Sequence, residues 1–229
     1  MSALQIAKKK KKHLTRAEEY YNALRTNIQL SGENIQVIEV TSVNASEGKS
    51  TTSLHLAAAF ARAGYKTLLL DADIRNSVMS GTFRNEGKVL GLTDFLTGTE
   101  KLESSLFDTE VENLFVIESG PTTPNPTALL QGETFEKMVK VLRDHFDYII
   151  VDTAPIGLVI DAAIVARVCD GTVLVAEAGA VRRKFILKAK QQLEQTKTPF
   201  LGVILNKYDF KTDAYGDYGS YGSYGQYGK

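Results

Sequence analysis

The stretch Val43-Asn44-Ala45-Ser46-Glu47-Gly48-Lys49-Ser50-Thr51 decides the fold, because it joins a short apolar run to a helical pattern. Residues 36–41 before it predict a buried strand, and residues 50–63 at its end predict a helix. A Gly-Lys-Ser core between a strand and a helix is typical of a P-loop, whose backbone N–H groups and helix N-terminus face phosphates. Val43 replaces the usual first glycine of that loop, so the motif needs support from the rest of the chain.

This loop has the side chains that a nucleoside triphosphate requires. Lys49 is placed to neutralise the β and γ phosphate oxygens, and the Ser50 hydroxyl is placed to bind Mg²⁺. The loop residues that we expect to contact ATP are Ser46, Glu47, Gly48, Lys49, Ser50 and Thr51.

The rest of the chain continues the alternation of strands and helices. Apolar runs that do not alternate in polarity, as expected of strands buried on both faces, occur at residues 66–71, 114–118, 148–152, 172–177 and 200–206. Helical patterns occur at residues 132–144, 160–168 and 181–196. The sequence therefore predicts an α/β fold, a P-loop NTPase-like and mostly parallel sheet with helices on both faces.

Three acidic residues stand at the ends of two predicted strands. Asp71 and Asp73 belong to the run Leu68-Leu69-Leu70-Asp71-Ala72-Asp73-Ile74-Arg75, and Asp152 ends the run at residues 148–152. The carboxyl ends of neighbouring parallel strands meet at the crevice in which ligands bind. A strand-end acid more often caps a turn or a helix, but three of them beside a P-loop favour a functional site.

The last fifteen residues carry a tyrosine at every third position, each followed by glycine. These tyrosines are Tyr215, Tyr218, Tyr221, Tyr224 and Tyr227. Regular glycines and polar spacers make ordering costly, so residues 208–229 are predicted to be a disordered tail. Such a tail is either a sticky low-complexity segment or a substrate for modification at several sites.

At 229 residues the chain has the length of one α/β domain with tails. It has no apolar run near the roughly 20 residues that span a bilayer, and its single cysteine, Cys169, allows no internal disulfide. We therefore expect a soluble protein of a reducing cytosol.

Residues 1–17 carry six basic residues and no acid, so residues 1–14 are predicted to be a flexible basic arm. This arm is either simply solvated or directed to an anionic surface, such as the inner membrane leaflet or nucleic acid.

These features together resemble a known family. The features in question are the Gly48-Lys49-Ser50-Thr51 loop, the Asp71-x-Asp73-x-Arg75 strand end, the Asp152 strand and the tyrosine cluster. They are similar to those of the bacterial tyrosine kinases (BY-kinases) of capsule and exopolysaccharide synthesis, in particular the free-standing cytoplasmic kinases of streptococcal capsule loci. The resemblance places a P-loop kinase domain at residues 15–207, between the arm and the tail.

The resemblance implies an ATP-dependent protein-tyrosine kinase that autophosphorylates its tail and regulates the synthesis and export of capsular polysaccharide or exopolysaccharide. It implies that Lys49, Asp71, Asp73 and Asp152 are catalytic, with Asp71 as the base that takes the proton of the tyrosine hydroxyl. A phenol needs such help because its pKa is about 10.

ATP and Mg²⁺ are the implied cofactors. By the resemblance, Ser50, Asp73 and Asp152 hold Mg²⁺, partly through water. Arg75 and Asn206 are further candidates for contacts to ATP, and Asn206 is suited to the edge of an adenine base.

The family joins its subunits into a ring through a Glu-x-x-Arg-x-x-Arg helix, and each tail enters a neighbouring site. Here Glu19 and Arg25 match that motif, but Asn22 replaces its first arginine. The same helix has Tyr20, Leu24 and Ile28 on one face, and Tyr21 widens this apolar stripe. The helix is therefore also suited to packing on the sheet, with Arg25 as a surface charge.

The resemblance also implies partners and a location. The partners are further copies of this chain, a transmembrane activator of the polysaccharide chain-length family and a cognate tyrosine phosphatase, without nucleic acid. The protein is then expected in the cytoplasm, at the inner face of the membrane through its activator.

Three other functions fit parts of the sequence. A partition or septum-site ATPase of the same superfamily is disfavoured, because such proteins carry a second lysine at the position of Asn44 and lack the tyrosine tail. A GTPase is suggested by Asn206-Lys207-Tyr208-Asp209, which has the form of a guanine-reading motif after a buried strand. The third is a non-catalytic adaptor that displays phosphotyrosines made by another enzyme.

Overall fold

The computed structural model describes residues 4–7, 17–79, 81–84 and 90–208. Its strands are β1 (Gln5–Ile6), β2 (Val37–Ser42), β3 (Thr67–Asp71), β4 (Phe83–Arg84), β5 (Phe107–Asp108), β6 (Leu114–Ile117), β7 (Tyr148–Asp152), β8 (Gly171–Glu177) and β9 (Phe200–Asn206). Its helices are α1 (Glu18–Leu30), α2 (Lys49–Arg62), α3 (Leu92–Leu96), α4 (Pro126–Gln131), α5 (Glu133–Arg143), α6 (Asp161–Ala166) and α7 (Arg183–Glu194). The tail tyrosines and the lysine run at residues 8–12 lie outside the described ranges.

Within those ranges, the main sheet has the strand order β5-β6-β3-β7-β2-β8-β9. All neighbouring strands are parallel except β5, which runs antiparallel to β6. The predicted fold class is therefore confirmed. In the pairing of β3 with β7, Asp71 lies opposite Asp152, so the acids of the two strands reach the same edge of the sheet.

Both faces of the sheet are covered, which explains why its central strands do not alternate in polarity. Every residue of β2 and of β3 is buried. On one face Ile38 and Val40 join an apolar cluster with Phe60 of α2. On the other face Leu68 and Leu70 join a cluster that includes Phe135, Met138 and Val139 of α5.

Helix α1 packs on α2 through part of the predicted apolar stripe, but Tyr20 of that stripe does not face the core. Tyr20 is 68% exposed, whereas Tyr21, Leu24 and Ile28 face the core. The ring of Tyr21 meets the ring of His55 edge-on, with 4.7 Å between the ring centroids. The sequence pattern placed both tyrosines on the apolar stripe, and packing on α2 leaves Tyr21 partly buried and Tyr20 exposed.

The N-terminal arm begins with a strand, which corrects the predicted flexible segment at residues 4–7. Leu4 and Ile6 are buried, and Ile6 pairs with Phe83 of β4. The N–H of Leu4 also donates to the carbonyl of Asp108, at 2.9 Å. In this segment the exposed Gln5 lies between Leu4 and Ile6, whose side chains cover the core beside β5. The neighbouring lysine run obscured this short apolar pattern in the sequence.

No helix in the described part of the chain has the length and apolar character needed to cross a bilayer. Cys169 is buried and carries a free thiol, as the single cysteine predicted.

Glu118 follows β6 and is a buried acid at the carboxyl edge of the sheet. Glu118 is 2% exposed, and its Oε1 has no hydrogen-bond partner among the described residues. Burial raises the pKa of this carboxyl to about 7. A carboxyl whose pKa is raised by folding stabilises the protein below the pKa of the unfolded chain, and this contribution is lost as the pH rises through the folded pKa.

We predict that Glu118→Gln flattens the pH dependence of stability between about pH 5 and pH 8. In the native chain the free energy of unfolding should lose on the order of 2–3 kcal/mol across this window, because the buried carboxyl ionises. Urea denaturation at several pH values measures both slopes. Glu112→Gln, on the exposed turn before β6, is the control and should follow the native slope. Equal slopes for native protein and Glu118→Gln would contradict the prediction.

Candidate functional site

The P-loop is a tight turn that leads directly into α2. Gly48 stands at the N-cap of α2 with φ 95°, in the left-handed region that favours glycine. A Cβ atom on Gly48 would lie 2.0 Å from Nδ2 of Asn206, so no larger residue fits without a shift. That Nδ2 donates to the carbonyl of Glu47 at 2.8 Å, and β9 thereby holds the loop from the side.

Glu47 stabilises the same loop from within. Its side chain is buried, and its two carboxylate oxygens accept from the N–H of Val43 at 3.0 Å and from Nδ2 of Asn44 at 2.7 Å. The side chain therefore shapes the loop rather than facing a ligand. The sequence predicted that Glu47 contacts ATP. In this arrangement only the backbone of Glu47 is placed to make that contact, because its carboxylate is bound within the loop.

Lys49 is the centre of the charged cluster. Its Nζ lies 2.9 Å from Oδ2 of Asp73, 3.3 Å from Oδ2 of Asp152 and 3.1 Å from Oγ of Ser50. Burial by itself lowers the pKa of Lys49, but the charges of Asp152 and Asp73 outweigh this effect and raise it above its ordinary value. The structure thus brings together four residues that the sequence placed in three separate segments.

Asp71 and Asp152 lie beneath this cluster and are almost completely buried. Burial and the charge of Asp152 raise the pKa of Asp71 to about 8, and burial raises the pKa of Asp152. Asp71 accepts from the N–H of Asp73 at 3.1 Å and from the hydroxyl of Ser77. Asp152 accepts from the hydroxyl of Ser53 at 2.9 Å. The carboxylates are thus oriented by hydroxyl donors that the sequence analysis did not identify.

A cavity of about 480 Å³ opens above these groups. Its wall consists of the P-loop, the loop that follows β3 and the loop that follows β7, together with Lys207. Lys49, Asp73 and Arg75 belong to the wall, whereas Asp71 and Asp152 do not. A larger open groove, of about 810 Å³, lies around Gln36 and Tyr148 at the amino ends of the strands. It contacts no part of the P-loop, so the chemistry assigns the site to the smaller cavity.

The two residues at the end of β9 hold the P-loop in place. Asn206 uses its amide nitrogen on the loop and is not part of the cavity wall, which differs from the predicted contact with a base. Lys207 donates to the carbonyl of Ser46 at 2.9 Å and forms an ion pair with Glu177 at 2.6 Å. Asp209 of the possible guanine-reading motif lies outside the described residues.

Comparison with known proteins places this geometry in a family. Residues 35–182 match the AAA domain family. The chain is 60% identical to a tyrosine-protein kinase CpsD of Streptococcus pneumoniae, over 94% of this chain and 95% of that protein. The chain belongs to the bacterial tyrosine kinases of capsule and exopolysaccharide synthesis.

Solved structures agree with this membership. The kinase domain of the Escherichia coli tyrosine kinase ETK is 32% identical, with a TM-score of 0.79, over 87% of this chain and 80% of that chain. The chimeric protein CapA2B2 is also 32% identical, with a TM-score of 0.78, over 83% of this chain and 84% of that chain. The enzyme is thus a tyrosine-protein kinase with a nucleotide-binding P-loop fold, and the adaptor alternative is not supported.

In this kinase Arg75 is held by residues that the sequence analysis missed. Its Nε donates to Oδ2 of Asp161, and its Nη2 donates to Oγ1 of Thr127 at 2.7 Å and to Oδ1 of Asp161 at 3.1 Å. Asp161 is 1% exposed and begins α6, so in the sequence it had the form of an ordinary helix-start acid. The clamp connects the loop after β3 with α4 and α6, and it keeps Arg75 at the cavity wall.

The predicted Mg²⁺ ligands fit a cation. Oxygen atoms of Ser50, Asp73 and Asp152 already converge on one positive charge, the ammonium of Lys49. Hard oxygen donors of this kind suit Mg²⁺, which keeps several waters and phosphate oxygens as its other ligands. Among the described residues no three His, Cys, Asp or Glu side chains are grouped to hold a metal alone, so the set is two carboxylates and a hydroxyl.

The predicted oligomerisation residues differ in their surroundings. Glu19 is exposed. Arg25 is half-buried and donates from Nη1 to the carbonyl of Ala59 at 3.0 Å, so it fastens α1 to α2 within the chain.

We predict that Gly48→Ala weakens nucleotide binding by at least about tenfold, because the new Cβ collides with Asn206 and the left-handed turn becomes strained. Gly64→Ala is the matched control. Gly64 has a similar φ of 91° at the end of α2, but no atom of the described residues lies within 4 Å of its added Cβ.

The control should therefore lose about 1–2 kcal/mol of stability and retain native affinity. Titration with a fluorescent ATP analogue, together with thermal unfolding, separates the two effects. Native affinity in Gly48→Ala, or an equal loss in both variants, would show that the P-loop turn does not shape the nucleotide site.

Proposed function

We propose that this kinase transfers the γ-phosphoryl group of ATP to the tyrosines of its own C-terminal tail, and that it thereby regulates the synthesis and export of capsular polysaccharide or exopolysaccharide. One observation carries this proposal. The ammonium of Lys49 meets oxygens of Asp73, Asp152 and Ser50 at the mouth of a P-loop, in a chain that ends in five regularly spaced tyrosines.

The P-loop binds the phosphates in this proposal. Ser46, Gly48 and Thr51 contribute through the loop and the first turn of α2, and Glu47 contributes through its backbone. Lys49 exchanges its carboxylate partners for phosphate oxygens when the nucleotide binds. Arg75 reaches the phosphates from the opposite wall, while Asn206 acts by fixing the loop.

The carboxylates divide the remaining tasks. Asp73 and Asp152, with Ser50, would hold Mg²⁺, which would offset the negative charge of the phosphates. Asp71 accepts the proton of the tyrosine hydroxyl. The phenolic oxygen forms a bond to the γ-phosphorus, and the bond from that phosphorus to the bridging β-γ oxygen breaks, with ADP as the leaving group.

Ser77 supports Asp71 as the base. Its hydroxyl donates to Oδ2 of Asp71 and stands in for the phenolic hydroxyl of a substrate. Because Asp71 is fully buried, a tyrosine has to displace Ser77 to reach it, which requires the loop after β3 to move.

The partners follow from the same proposal. Each tail enters the site of a neighbouring copy in a ring that involves Glu19 and Arg25. A transmembrane activator of the polysaccharide chain-length family brings the kinase to the inner face of the membrane, and a cognate phosphatase removes the phosphates from Tyr215, Tyr218, Tyr221, Tyr224 and Tyr227.

We predict that Lys49→Met reduces tail phosphorylation at least about a hundredfold, because the variant loses the cation that positions the phosphates and offsets their charge. Mass spectrometry of the tail after incubation with ATP and Mg²⁺, with and without the membrane activator, measures the effect. Lys137→Met is the control, since Lys137 is exposed and forms its ion pair with Glu133 on α5, away from the cavity. Equal phosphate in the Lys49→Met and native tails would refute the kinase assignment.

We also predict that phosphoryl transfer occurs between copies. A Lys49→Met chain with an intact tail is mixed with an active chain whose five tail tyrosines are replaced by phenylalanine. Phosphate should appear on the Lys49→Met chain, because only the other copy has a competent site. Mass spectrometry distinguishes the chains, and an unphosphorylated mixture would indicate transfer within one copy.

A further inference from the structure

The wall of the catalytic cavity carries two large apolar side chains that are open to solvent. Val78 is 59% exposed and Leu158 is 61% exposed, and both line the cavity that Lys49 and Asp73 also line. Neither belongs to the apolar clusters that stabilise the fold. Exposed apolar side chains beside a charged site are a feature of ligand-binding surfaces.

Their place in the chain relates both residues to the catalytic acids. Val78 lies on the loop that follows β3 and is adjacent to Ser77, whose hydroxyl contacts Asp71. Leu158 lies on the loop that follows β7, and its N–H donates to the carbonyl of Pro155 at 3.0 Å, which fixes a turn at the cavity wall. Because β3 and β7 are neighbours in the sheet, the loops that follow these two acid-bearing strands each contribute one apolar side chain to the same cavity wall.

We propose that Val78 and Leu158 form an apolar rim that binds the aromatic ring of the substrate tyrosine and selects tyrosine over serine and threonine. The proposal rests on the proposed function and adds the residues that recognise the substrate. The occupant of the rim is the tyrosine-rich tail of another copy of this chain.

The chemistry of the rim matches a phenol. Tyrosine carries its hydroxyl at the far end of an apolar ring, whereas serine and threonine carry theirs beside the backbone. Asp71 and Asp152 are buried and do not line the cavity, whereas Val78 and Leu158 lie on its wall. A ring held against Val78 and Leu158 therefore directs its hydroxyl towards Asp71, while a short side chain gains no apolar contact and does not extend as deep.

The composition of the tail favours this mode of binding. Residues 214–229 contain one acid, Asp217, and one base, Lys229, besides the five tyrosines. The segment therefore has no net side-chain charge with which to be attracted to the site. Its tyrosine rings supply most of the apolar surface that it is able to bury, so contacts to these rings have to supply its affinity.

The tail follows directly after a residue that lines the same cavity. Lys207 lines the same cavity, and the described residues end at Tyr208. From Lys207 the chain has enough length to span at most about 29 Å to Tyr215 and about 70 Å to Tyr227. The tails of neighbouring copies that adjoin at this edge are thus within reach of each other's rims.

The test uses the full-length kinase and a synthetic peptide of residues 214–229, under the conditions in which the native tail is phosphorylated. We expect Leu158→Ser to raise KM for the peptide about tenfold, and Val78→Ser to raise it several-fold, because each loses apolar contact with the ring. The affinity for the ATP analogue should remain native. Ile160→Ser is the matched control: Ile160 is 53% exposed on the same segment but does not line the cavity.

A second measurement isolates binding from chemistry. A peptide with phenylalanine at all five tyrosine positions should inhibit the native enzyme competitively, and its inhibition constant should rise in Leu158→Ser as KM does. A peptide with serine at the same positions should neither inhibit measurably nor accept phosphate. Because the substituted residues lie outside the apolar core clusters, thermal unfolding of all variants should match that of the native protein.

Two outcomes overturn the rim alone: native phosphorylation with an unchanged KM in both Leu158→Ser and Val78→Ser, or an equal rise in Ile160→Ser. A change in oligomeric mass of Leu158→Ser by light scattering, without a change in the inhibition constant, would instead assign this surface to subunit contact. If the native enzyme binds nucleotide but phosphorylates neither tail nor peptide, the proposed function fails and the rim fails with it.

Discussion

The ion-pair cluster around Lys49 is the interaction on which the rest of the site depends. Burying Asp71, Asp73 and Asp152 together is unfavourable unless a cation offsets their charge. Lys49 supplies this cation from the first turn of α2, with contacts of 2.9 Å to Asp73 and 3.3 Å to Asp152. In the proposed function the same ammonium meets the phosphates of the nucleotide, so one side chain would both offset the buried acids and bind the substrate.

The parallel sheet makes this cluster possible. Asp71 and Asp152 come from strands far apart in the sequence, yet the register of β3 and β7 sets them opposite each other. The P-loop follows β2, the other neighbour of β7, and so opens at the same edge. Flexible loops alone do not hold four charged groups at such short distances, whereas strand ends in a sheet covered on both faces have little freedom to move.

A second set of contacts controls how the loops around the cluster are held. Ser53 and Ser77 donate to Asp152 and Asp71, and Asp161 fixes Arg75 from a buried position. The loop after β3 carries several of these contacts together with an exposed Val78. Hydroxyl and guanidinium donors are able to exchange partners at low cost, so these contacts suit loops that have to admit a nucleotide and then a tyrosine.

The fold class, the P-loop and the acids at the strand ends were predictable from the sequence alone, because uniform apolar runs and a Gly-Lys-Ser turn depend on local chemistry. The predicted bounds of β7 and β9, at residues 148–152 and 200–206, agree with the structure for this reason. Packing in three dimensions was needed to show that Tyr20 stays exposed while Tyr21 is partly buried, that Leu4 and Ile6 pack on the core, and that Glu47 and Asn206 hold the P-loop. It also brought Asp161 to Arg75 and placed Leu158 beside the phosphate loop. These contacts join residues far apart in the chain, and they arise from the register and packing of the sheet, which no local pattern of residues encodes.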